Sequence, residues 1–286
     1  MSDARPDPAA KAPTRSQRRA RGAATPGPVD GPVPVVPQPG VRPLVPLAVV
    51  AFSGLLVLSV LAGVPFVAAA VALGGGVLAW GWAGLLGLPS PRGTTSVLAF
   101  GTVAAVLTGA LTRTDPFLRW MPAALALSML VAFLHQLLRR DGRPRLVESV
   151  VSVVTGLAVV VSGACLVPLA LTADGGTVMA VAGAALGVAA LVDLLARWVR
   201  LRPWLVPAAL VAGTVAAAGV AAVLGDVGLP AAGLLGLLCA AVSSTLRGVL
   251  GVLPAMSGRR SQLACASASV LGCGVVVYVV ARLLVG

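Results

Sequence analysis

Hydrophobic residues in this chain come in long blocks, without the alternation of a half-buried strand. Residues 44–88 contain no charged side chain, although about 20 apolar residues suffice for one helix to cross a bilayer. Gly63-Val64-Pro65 falls near the middle of this block. Glycine with proline ends one helix and opens the next, so the block reads as two spans. Seven more apolar blocks, parted by short polar or arginine-bearing turns, predict spans at 94–111, 120–138, 147–171, 177–196, 204–224, 229–246 and 263–284. The expected fold class is all-α, a polytopic transmembrane helix bundle of nine spans occupying residues 44–286.

Residues 1–43 have a different composition, rich in Pro, Ala and Gly with a basic cluster at Arg15, Arg18, Arg19 and Arg21. Such a stretch buries too little apolar surface to offset its ordering entropy and is expected to be a disordered tail. The cluster lies more than twenty residues before the first apolar block, with prolines between, which does not fit a secretory signal.

Charge then sets the orientation. Only 10% of the residues are charged, against roughly 25% in a soluble domain. Twenty-one Lys and Arg nevertheless outnumber nine Asp and Glu, for a net charge of +12. In a soluble protein that excess would suggest nucleic acid; in a membrane protein it fits the inside-positive bias, and no nucleic-acid partner is expected. With the N-terminus cytoplasmic, the tail and the turns at 89–93, 139–145, 197–202 and 247–260 hold 18 of the 21 basic residues. Only Arg113, Arg119 and Arg282 fall outside, and the other outer turns carry Asp174 and Asp226. A multi-pass protein of the cell membrane with its C-terminus outside follows. Trp120, Trp198 and Trp204 stand at span ends, where an indole buries its ring and wets its N–H.

Candidate chemistry is sparse. Glu148 and Asp193 are the only acids within spans, both near cytoplasmic ends. Glu148 closely follows Arg143 and Arg145, and Asp193 lies four residues before Arg197, so both acids are expected to pair locally. His135 reads as an interfacial imidazole; a proton relay would need a carboxylate, and Asp141 lies in the following turn. Cys165, Cys239, Cys265 and Cys273 all fall in apolar blocks without a CxxC, as small buried hydrophobes do. Gly74-Gly75-Gly76 lies inside a span and predicts close packing or a bend; phosphate binding fits it less well. Gly183 and Gly187 have the small-xxx-small spacing of close helix contacts. Thr108, Ser128, Thr155 and Ser162 read as ordinary helix hydroxyls. No metal or cofactor motif is present, and none is expected to bind.

The order of features in the second half resembles bacterial phosphatidate cytidylyltransferases. The stretches concerned are Arg145-Leu146-Val147-Glu148-Ser149, Val167-Pro168-Leu169, Gly225-Asp226, Ser243-Ser244-Thr245-Leu246-Arg247, Leu253-Pro254 and Val276-Val277-Tyr278. The resemblance implies a multi-span fold with a cytoplasmic motif before the last helix. This chain departs from that motif, because residues 247–262 contain no Asp, Glu, Lys or His. Nucleotidyl transfer needs carboxylates to hold Mg²⁺, so an inactive relative is implied.

The first expectation is therefore a non-enzymatic protein of the cell envelope, concerned with division or assembly. It would act on the bilayer, on a protein partner, or as a homo-oligomer. A permease is the alternative, and a cytidylyltransferase-like lipid enzyme the second. The residues expected to meet anionic lipid headgroups are Arg139, Arg140, Arg143, Arg145, Arg197, Arg200 and Arg202.

Overall fold

A computed structural model describes residues 42–88, 90–138 and 145–285. The tail expected over residues 1–43 lies outside these, save Arg42 and Pro43, as do Arg139, Arg140 and Arg143. Among the described residues the chain is helical, with no strand. Nine helices in it are long and apolar enough to cross a membrane, and the chain is a multi-pass membrane protein.

Gly63 parts the first two spans. It sits at φ 99°, where only glycine is at ease, and Pro65 opens the second helix. The helices are α1 (Leu44–Ala62), α2 (Val64–Leu85), α3 (Pro91–Leu111), α4 (Met121–Leu138) and α5 (Leu146–Ala164), the last prolonged by a 3-10 turn at Val167–Leu171. Next come α6 (Gly175–Val192), α7 (Leu205–Leu224), α8 (Leu229–Gly251), α9 (Arg259–Leu271) and α10 (Gly274–Val280). Two 3-10 segments, Asp193–Arg197 and Val199–Trp204, join α6 to α7. Successive spans alternate in direction, so the ends of the bundle collect different turns.

Three layers of packing follow. Helices α3, α4 and α5 pack on one another, as do α6, α7 and α8, and α1, α2 and α9 lie between these two groups. Small residues permit the contacts. A side chain on Gly183 of α6 would collide with Val57 of α1, and Gly187 also faces α1, at Ser53 and Val50. The small-xxx-small face is thus used inside the chain. Within the glycine run of α2, Gly74 backs onto the Phe52 ring and Gly75 onto Thr102, which is a packing role.

The ninth span departs from a single straight helix. It opens at Arg259, four residues before the expected start, and breaks between α9 and α10 at Gly272 and Cys273. Broken backbone at membrane depth needs substitute hydrogen bonds. Ser162 of α5 supplies them, donating from Oγ to the Gly272 carbonyl and accepting from the Val275 N–H, both at 3.0 Å. A side chain on Gly274 would strike the Ser162 backbone. Ser162 therefore joins helices, whereas Ser128 and Thr155 donate to carbonyls of their own helices; Thr108 donates to its own Ala105 carbonyl and also to Met121 Sδ of α4, at 3.8 Å.

Candidate functional site

Charge is distributed unequally between the two ends. Among the described residues, one end carries Arg42, Arg92, Arg145, Arg197, Arg200, Arg202, Arg247, Arg259 and Arg260 against Glu148 and Asp193. The other carries three arginines and three aspartates. At the arginine-rich end a cavity of about 300 Å³ opens between the start of α1, the join of α6 to α7, and the end of α8. Arg42, Arg202, Arg247 and Asp193 line it, with Ser244 and apolar residues that include Val45, Leu205, Val206 and Met256.

Arg247 anchors the site. The eighth span was expected to end at 246, but α8 runs on to Gly251 and carries Arg247 within its last turns, almost wholly buried. A cation can sit there only if its donors are met. Its Nε donates to Asp193 Oδ2 at 2.6 Å, Nη1 to Ser243 Oγ at 2.5 Å and Nη2 to the Ala189 carbonyl at 3.3 Å. The partner expected for Asp193 was Arg197; in the structure it is Arg247. At Asp193 the chain tightens from α to 3-10. With about three residues per turn, position i+4 no longer overlies position i. Arg197 lies over the Trp198 ring instead, 5.5 Å from its centroid.

The other two arginines arrive from distant parts of the chain. Arg42 donates from Nη1 to the Gly251 carbonyl at 2.8 Å, tying the entrance of α1 to the exit of α8. Arg202 donates from Nε to the Ala196 carbonyl at 3.2 Å, which holds the turn between α6 and α7. A guanidinium has five donors, so the bond to the Gly251 carbonyl holds Arg42 without exhausting it.

No protein-family model, curated protein or solved structure matches this chain. The likeness to lipid cytidylyltransferases rests on the residues quoted for it. Of these, Ser243 and Arg247 belong to the cavity network, while Arg145 and Glu148 form an ion pair elsewhere at the same end.

The seven arginines expected to meet headgroups thus divide. Arg202 reaches the cavity. Arg145 pairs with Glu148, as expected for that acid, and donates to the Gly87 carbonyl at 2.9 Å. Arg197 and Arg200 lie outside the cavity lining, and Arg139, Arg140 and Arg143 lie outside the described residues. Sequence reasoning missed Arg42 and Arg247 as cavity residues. One signal was available for Arg247: it follows Ser243 by four residues on a helix, so the two share a face. His135 rests against the start of α3, its Nε2 3.3 Å from Ser90 Oγ. All four cysteines are buried thiols, and among the described residues no three His, Cys, Asp or Glu side chains gather as a metal site would require.

Proposed function

We propose that the chain is a cell-membrane protein with its arginine-rich end in the cytoplasm, and that it acts by binding a lipid or protein partner there. One observation carries the binding reading: Arg42, Arg202 and Arg247, from three separate elements, line a single cavity. Orienting charges need only be wet and on the correct side; convergence on one cavity is not required for that. The excess of arginine at this end supports the orientation by the same inside-positive rule. Several buried hydroxyls, among them Ser128, Thr102 and Ser244, satisfy themselves on their own helices. This favours a binding role over a polar path through the bundle.

Orientation is tested with Arg200→Cys and Asp226→Cys, at exposed positions on opposite ends. A membrane-impermeant maleimide should label Asp226→Cys on whole cells and Arg200→Cys only after lysis; the reverse would overturn the orientation. Binding is tested by crosslinking in cells and purification in mild detergent. A chain recovered alone, monomeric and free of bound lipid would overturn the binding reading.

A further inference from the structure

Asp174 occupies a capping position without capping. The side chain of the residue before a helix ordinarily accepts from a backbone N–H of the first turn. At α6 the Asp174 carbonyl takes the Val178 N–H at 2.9 Å, but the carboxylate accepts no such bond. Among the described residues no hydrogen bond or ion pair takes up this carboxylate. It lines instead a cavity of about 300 Å³ at the end of the bundle opposite the arginine cavity. We propose that this second cavity binds a primary ammonium group, carried by a lipid headgroup or by a free amine. The site is independent of binding at the arginine-rich end.

The lining brings together Asp115 and Phe117 from the turn between α3 and α4, Thr172 and Asp174 from the turn before α6, and Arg282 from the turn after α10. Arg282 is committed to Asp115 at 2.7 Å, so the charge left over in the lining is negative and belongs to Asp174. Arg113 and Arg119, at the same end, lie outside the lining, and Arg119 stands 6.0 Å from the centroid of the Trp120 ring. Thr172 donates its hydroxyl proton to the Leu169 carbonyl at 2.8 Å, which leaves its oxygen as an acceptor. Beside the ion pair, both groups left to a ligand are therefore acceptors, and the ligand that answers them is a cation rich in N–H donors.

A primary ammonium has three such donors on a compact head. A quaternary ammonium has none and is held by aromatic faces. The lining contains a single aromatic ring, Phe117, and the Arg282 guanidinium already leans over it, 5.9 Å from the centroid. Leu171, Val178 and Val285 make much of the remaining wall apolar, as suits the methylenes that carry an amine. Asp174 is half-buried, where attraction between opposite charges is stronger than in open water. Leu283 and Leu284, next to Arg282, are exposed on the flank of the last span, so the cavity adjoins the lipid-facing surface as well as water.

The full chain, purified in mild detergent and placed in nanodiscs, tests this. The discs contain phosphatidylcholine alone or phosphatidylcholine with phosphatidylethanolamine, with retained lipid read by native mass spectrometry and stability by thermal unfolding. A parallel arm adds millimolar ethanolamine or choline to the phosphatidylcholine discs. The wild-type chain is expected to prefer the primary ammonium in at least one arm. Preference for phosphatidylethanolamine without a response to ethanolamine assigns the group to a lipid, and a response to free ethanolamine assigns it to a soluble amine. No preference over choline headgroups or choline in either arm overturns the proposal. Asp174→Asn, which keeps a residue suited to precede a helix, should weaken the preference about tenfold, the worth of one charge-assisted contact. Asp226→Asn removes an acid from the same end, outside the lining, and should leave it unchanged. Equal loss in the two variants would make the effect one of general charge and overturn the site. Should Asp174→Asn fail to fold, the wild-type preference decides alone.

Discussion

An arginine–aspartate pair stands at each end of the bundle, the two of nearly equal length and opposite surroundings. Arg247 and Asp193 meet at 2.6 Å with side chains 4% and 34% exposed; Arg282 and Asp115 meet at 2.7 Å with side chains 37% and 52% exposed. The first arginine also bonds Ser243 and the Ala189 carbonyl, whereas the second leans over the Phe117 ring, 5.9 Å from its centroid. Distance alone would rank the two pairs as equals, but their dielectric surroundings do not. Separated, Arg282 and Asp115 both rehydrate. Of Asp193 and Arg247 only the aspartate could, and the arginine would be left without its counter-charge in a packed interior.

Breaking each pair in turn should expose that difference. Asp193→Ala leaves Arg247 buried and uncompensated, and is expected to cost about 3–5 kcal/mol, the usual penalty for orphaning a buried charge. Thermal unfolding in detergent would report it as a large drop in midpoint or a loss of monodisperse protein. Arg247→Met should cost less, because the abandoned carboxylate is one-third exposed and can take up water. The double variant Asp193→Leu with Arg247→Met should recover most of the loss, since an apolar replacement of a buried pair is often close to neutral. A double variant as unstable as Asp193→Ala would mean that packing, not charge, governs this end.

An uncharged reference lies between the two pairs. Ser162→Ala removes both the acceptor of the Val275 N–H and the donor to the Gly272 carbonyl, and should cost about 1–3 kcal/mol as an unsatisfied buried group. Arg282→Ala is expected to change stability by no more than about 1 kcal/mol, as surface pairs do. Salt sharpens the contrast further. Raising it to about 1 M, where the screening length falls to about 3 Å, should erase the effect of Arg282→Ala and leave that of Asp193→Ala. Equal salt sensitivity would remove the distinction between the ends.

The spans were legible because hydrocarbon imposes a length and an apolar composition that a single sequence displays openly. Boundaries moved where charged residues proved compatible with helix. Arg247 resembled the start of a loop and is a buried helical residue. Arg259 and Arg260 open the ninth span; there the Arg260 guanidinium lies over the Trp80 ring, 4.5 Å from its centroid, a cation–π contact. Pairing within a turn was legible for Arg145 and Glu148, three residues apart. It was not for Asp193, because the switch to a tighter helix at that residue leaves no mark in the spacing. The cavity depends on contacts across more than 200 residues, such as Arg42 to Gly251, and local pattern carries no information at that range. Ser162 was hidden for a similar reason: its hydroxyl answers a helix break in another span.

The Asp193–Arg247 contact also has a schedule. Its two members are 54 residues apart, so at roughly 5–20 residues per second the ribosome delivers the arginine several seconds after the aspartate. During that interval the carboxylate waits unpaired where α6 ends, and α7 must already be threaded before its counterpart arrives. Joining of the last three spans to the rest is thereby ordered in time as well as in space.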